Sequence, residues 1–157
     1  MPSYGDFDFK VLHSGEANSG YPTDIALEAA AADITGGLWD VLTPIIIRRV
    51  GILVRVAFDY NVQVTEGVVT FFRRITYGSN TGRVTLGTVR LIDGTALGRI
   101  LYRDIADTFA NVGDQIVAAI TTQAAGGGAI AGDFLPVIYY ENVPETPANQ
   151  TRWVLGT

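Results

Sequence analysis

From Leu38 onward, apolar residues recur at every second position in short runs broken by glycine, asparagine, aspartate and proline. That period belongs to a strand with one buried face, because successive side chains leave a sheet on opposite sides. In Leu53-Val54-Arg55-Val56-Ala57-Phe58-Asp59, Val54, Val56 and Phe58 share one face and Arg55 and Asp59 the other, as in a half-buried antiparallel strand. Pro44 and Gly51 bracket the apolar piece Ile45-Ile46-Ile47, so the run reads as two strands or one bulged strand. Val68 to Tyr77 is rich in β-branched and aromatic residues, as strands prefer, and Gly78-Ser79-Asn80-Thr81-Gly82 reads as a hairpin loop. On the return strand, Arg83 to Leu91, Val84 and Leu86 have one parity and Val89 and Leu91 the other. A glycine at such a switch, Gly87, predicts a bulge.

Asp93-Gly94 is a further turn, and Ala96 to Asp104 reads as a strand. Ile100, Leu101, Ile105 and Phe109 also fit a helix from Arg99 to Ala110. Val112-Gly113-Asp114 is a turn that launches Gln115 to Thr122, and Ala124 to Gly132, with Gly126-Gly127-Gly128, reads as a flexible loop. Asp133 to Glu141 is a last strand in which Pro136 favours an edge or a bulge. Residues 142–150, with Pro144 and Pro147, read as extended. About eight strands at this spacing, with no βαβ alternation and no internal repeat, predict an all-β, antiparallel β-sandwich or jelly-roll-like domain over 38–157. Residues 1–37 differ, being rich in Gly, Ser, Asp, Asn and Ala. They read as an extended N-terminal arm, with a short helix or extended stretch at Asp24 to Asp33.

A chain of 157 residues suits one domain with its own core. Cysteine is absent, which removes disulfides, thiolate metal sites and thiol nucleophiles. The net charge is −5, and basic residues cluster only in the doublets Arg48-Arg49 and Arg73-Arg74. No positive field for phosphates is expected, hence no nucleic-acid partner. Lys10 is the only lysine among 11 basic residues. Arginine is favoured in planar, interfacial ion pairs, although a GC-rich coding sequence has the same effect. Met1 to Leu12 lacks the basic start and apolar run of a signal peptide, and no apolar stretch is long enough to span a bilayer. A soluble product made in a cytoplasm, without a membrane partner, is the expectation.

Catalytic patterns are weak. His13 is the single histidine, beside Ser14, with no nucleophile elbow in the chain. Transition-metal ligands are too few. Asp104, Asp107 and Asp114 are the nearest acidic group but lack a calcium-loop spacing. Asp59, Glu66 and Asp93 adjoin turn signals, where acids are common without catalysis. The triple glycine is not a phosphate loop, because no Gly-Lys-Ser/Thr follows it. Asn149-Gln150-Thr151 matches a glycosylation sequon by chance. Trp39, Trp153 and Tyr139-Tyr140 fit either a sugar platform or core packing. No enzyme and no cofactor are expected.

Gln115 to Thr122 is apolar on both parities, with Ile116, Ala118 and Ile120 on one and Val117 and Ala119 on the other. Such a strand is covered on both faces, and in a thin sandwich a second subunit is the expected cover. A mean hydropathy of +0.25 points the same way. The expected interface residues are Phe7, Phe9, Tyr21, Ile116, Ala118, Ile120, Tyr139 and Tyr140.

Three features carry a resemblance. They are Thr43-Pro44-Ile45-Ile46-Ile47 with Ile52-Leu53-Val54-Arg55-Val56, the Val112-Gly113-Asp114-Gln115-Ile116-Val117 turn and strand, and Pro136-Val137-Ile138 with Pro144-Glu145-Thr146-Pro147. Over Leu38 to Pro147 the chain resembles the small β-sandwich proteins of tailed-bacteriophage virions, above all capsid decoration (cement) proteins. The resemblance implies a subunit on the capsid surface, commonly a homotrimer, that clamps the major capsid protein. A carbohydrate- or receptor-binding module of a fibre head is the alternative, and an enzyme on a jelly-roll scaffold the third reading.

Overall fold

A computed structural model describes residues 8–11, 24–77 and 80–143, and every regular element among them is a strand. In chain order these are β1 (Asp8–Val11), β2 (Ile25–Ala26), β3 (Asp33–Asp40), β4 (Ile45–Asp59), β5 (Gln63–Thr65) and β6 (Gly67–Tyr77). They continue with β7 (Asn80–Leu91), β8 (Ile100–Ala110), β9 (Gln115–Thr122), β10 (Ala125–Gly126) and β11 (Ala131–Asn142). One sheet has the order β1-β11-β4-β8, with β2 also beside β11, and the other β3-β9-β6-β7. A separate ribbon joins β5 to β10. All pairings are antiparallel. Four of them are nested: β6 with β7, β4 with β8, β3 with β9, β1 with β11. The chain is thus one long hairpin wound into two layers, the antiparallel sandwich that the alternation predicts.

The core lies between the layers. Val50, Ile52 and Val54 of β4 and Phe134 and Ile138 of β11 meet Val69 and Phe71 of β6, Ile116, Ala118 and Ile120 of β9, and Val89 of β7. Phe58 and Phe134 meet edge to face, with ring centroids 6.2 Å apart. Full burial of each large apolar side chain stabilises by about 1.5–3 kcal/mol.

Bulges decide several side-chain directions. Against β11, β4 carries Arg48 and Arg55 as extra residues, since Tyr139 and Tyr140 face Arg49 and Ile47, and Asp133 and Phe134 face Val56 and Val54. The run is therefore one bulged strand. The second bulge turns Val56 outward, 45% exposed, away from the face it was expected to share with Val54 and Phe58. On β7, Phe71 and Phe72 face Gly87 and Thr85, so Leu86 is the extra residue, beside the glycine that marked the parity switch. A Cβ on Gly87 would lie 3.0 Å from Ile105 and 3.3 Å from Val50, so the bare backbone lets the two sheets close there.

Two expectations are corrected, and two that the sequence left open are decided. Asp24 to Asp33 is not helical: Ile25–Ala26 pairs with β11, and the Leu27 N–H donates to the Gly132 carbonyl at 2.8 Å. Sheet pairing and burial of Leu27 outweigh the helix preference of the alanine run. The described part of 1–37 is not a detached arm, because β1 and β3 are sheet strands and a boundary at 37/38 would cut β3. Residues 100–110 are a strand, as read for Ala96 to Asp104, and the helix alternative is set aside. Pro136 sits in an interior strand, facing Ile52. On its other side β1 reaches only Val137 and β2 only Phe134, so among the described residues no ladder is recorded at Leu135–Pro136 there. The missing N–H is tolerated at such a gap.

Candidate functional site on the outer face of the β1-β11-β4-β8 sheet

In β4, buried Val50 and Ile52 alternate with half-buried Arg49 and Leu53, which have the outward parity. The register brings Tyr139 of β11 and Asp104 of β8 to either side of Arg49. The Arg49 Nε donates to Asp104 Oδ1 at 2.7 Å. Its guanidinium carbon lies 3.9 Å from the Tyr102 ring centroid and 5.4 Å from that of Tyr139. Tyr102 is 53% exposed. A planar cation set between two phenol rings and oriented by a carboxylate is the side-chain chemistry enriched at protein interfaces. Beside it, the bulged Arg48 pairs with Asp107 and, at 2.9 Å, with Glu141. Its hydrogen bonds donated to Asp107 first, then to Glu141, raise the Arg48 pKa above the ordinary arginine value. Phe109 is exposed at the same end of β8.

The expected interface residues separate. Tyr139 belongs to this patch. Its neighbour Tyr140 has the opposite parity and packs on the core, its ring 5.1 Å from that of the buried Trp39 and tilted by 50°. Trp39 and Tyr140 therefore form no exposed, coplanar sugar platform, and Trp153 lies outside the described residues. Phe9 is paired with Tyr139 in β1, and Phe7, Tyr21 and His13 lie outside the described residues.

Ile116, Ala118 and Ile120 are not a surface at all, because they fill the space between the sheets of this one chain. Val117 and Ala119, on the other face of β9, are only 2% and 5% exposed. The expectation that a second subunit covers this strand is corrected. A clasp crosses that face, running from Asp33 on β3 to Arg83 on β7, with the guanidinium 5.4 Å from the Phe72 ring centroid. Arg83 holds the Asp33 carboxyl below its ordinary pKa, chiefly through their hydrogen bonds.

The acids considered for chemistry do not converge. Asp104 and Asp107 hold Arg49 and Arg48, while Asp114 accepts the Asn111 N–H at 2.9 Å. Asp59 accepts the Asn61 N–H, Asp93 accepts the Tyr60 N–H, and Glu66 pairs with Arg90. Among the described residues no group of three His, Cys, Asp or Glu side chains is placed to hold a metal ion. No described helix is long and apolar enough to cross a membrane.

Sequence reasoning missed Arg49 and Tyr102. The signal was present: Tyr102 has the parity opposite to Leu101, and Arg49 belongs to a doublet inside an apolar run. Without the register nothing joined them. Comparison of the chain with protein-family models, with curated proteins and with solved structures finds no match.

Proposed function

We propose that this chain is a non-enzymatic virion structural protein that binds an assembled capsid shell through the outer face of its β1-β11-β4-β8 sheet. The observation that carries this reading is Arg49, oriented by Asp104 and set between Tyr102 and Tyr139 on an open sheet face. Arginine and tyrosine on a rigid strand scaffold bind protein at low entropic cost and act as hot spots. The specific role, a decoration subunit on the major capsid protein, rests on the sequence resemblance. A homotrimer on a shell axis rests on that resemblance alone, since β9, which called for a covering subunit, is covered from within. Many copies acting on one shell make weak single contacts sufficient.

Co-sedimentation with assembled shells from the same source tests it. Saturable binding is expected, weakened about tenfold or more by Arg49→Ala or Tyr102→Ala. Absence of binding, or unchanged binding by both variants, refutes it.

A second reading is favoured by one observation. The strand orders β1-β11-β4-β8 and β3-β9-β6-β7 favour a jelly-roll winding, an architecture of capsid and lectin domains. On that reading the chain itself tiles a shell. Closed particles formed by the purified chain alone, seen by electron microscopy, would support it.

A further inference from the structure

Among the described residues β7 and β8 are the end strands of their sheets on the same side of the sandwich, each paired along one edge. They meet where Gly87 admits the Ile105 side chain. Beyond that contact, between Thr88–Ile92 and Ile100–Arg103, lies an open groove of about 510 Å³. Its floor is apolar, with buried Val89 and half-buried Leu101. Tyr102 stands on one rim and Arg90, engaged by Glu66, on the other. The Arg103 guanidinium reaches the Thr88 hydroxyl at 3.5 Å. Among the described residues it has no carboxylate partner, although Arg48, Arg49, Arg55, Arg73, Arg83 and Arg90 each have one. Arg74 and Arg99 also lack one among the described residues, but of these three only Arg103 lines the groove.

We propose that this groove takes an extended, acidic segment of a partner polypeptide, laid along the free edge of β8 with a carboxylate on Arg103. The proposal rests on the protein-binding reading above and names where and what it binds. Three features fix the occupant. The unpaired backbone edges offer donors and acceptors at the strand repeat, which an added strand matches along its length. The apolar floor accepts alternate side chains of such a strand. The free guanidinium selects a carboxylate through charge-assisted hydrogen bonds. A saccharide would use the arginine and Tyr102 but leave the strand edges unmet.

The test is a titration of the full ¹⁵N-labelled chain with the capped peptide Thr-Val-Glu-Val-Thr-Val and with its Gln counterpart. Amide shifts are expected at Thr88–Ile92 and Ile100–Arg103. The Glu peptide should bind about fivefold more tightly at low salt, the size of an exposed ion pair. That preference should fade at high salt, vanish in Arg103→Ala and survive in Arg103→Lys. Equal binding of both peptides, or shifts confined to other amides, overturns the proposal. So does glucuronate shifting these amides when neither peptide does. If wild type and Arg103→Ala co-sediment equally with shells, the groove proposal fails while shell binding stands; if wild type does not co-sediment, shell binding itself fails.

Discussion

Tyr60 shows how one side chain can hold several segments. It is fully buried, and its hydroxyl donates to the Leu91 carbonyl at 2.5 Å and accepts the Gly67 N–H at 3.0 Å. Tyr60→Phe leaves both groups unmatched and should lower stability by about 1–3 kcal/mol in urea unfolding. Burial pushes the Tyr60 pKa up, because a buried phenolate lacks water. A raised folded-state value means that its contribution is complete below the unfolded tyrosine value of about 10 and is lost as pH rises through the folded value. Wild type should therefore lose more stability than Tyr60→Phe between about pH 9 and 11. Equal losses would show that folding does not raise the Tyr60 pKa. Nothing in the sequence marked Tyr60, which follows a strand and precedes an asparagine like any turn tyrosine.

Among the elements, the ribbon of β5 and β10 departs from the loop expected at Ala124 to Gly132. A Cβ on Gly126 would lie 2.0 Å from the Tyr60 carbonyl oxygen, so the backbones touch where the glycine run was expected to give only flexibility. Gly126→Ala should cost about 1–3 kcal/mol or more, read as a lowered thermal midpoint, because the ribbon must shift. Gly82→Ala, whose Cβ would meet nothing within 4 Å, is the control. The clasp over β9 behaves differently. The Asp33 side chain is half exposed, so Asp33→Asn should cost only about 0.2–1 kcal/mol. Its depressed pKa places that contribution above the unfolded carboxylate value of about 4, and it is lost as pH falls through the folded value. The difference in urea midpoint between wild type and Asp33→Asn should therefore be larger at pH 7 than at pH 3.

For the whole molecule, coverage of both faces of β9 from within means that folding needs no second copy. The midpoint of urea unfolding should not change with protein concentration; a midpoint that rises with concentration would restore the subunit-covered strand. Arg49→Ala and Tyr102→Ala lie on an open face and should change stability by no more than about 1 kcal/mol while weakening shell binding. Loss of binding together with unfolding would assign the patch to stability.

Alternation by itself determined that the chain is all-β, where most strands of residues 38–143 run and that a bulge falls beside Gly87, because parity is a local property read between adjacent residues. It misdirected Val56, because the extra residue Arg55 reverses the direction there and a further register shift before Asp59 returns Phe58 to the core. Tertiary structure alone decided which strands are neighbours, that β1 and β3 join the sheets, and that the chain covers β9 itself. It also decided that Arg49 meets Asp104 across 55 residues of sequence. Such meetings depend on the register of distant strands, and register is set by how two apolar faces pack together.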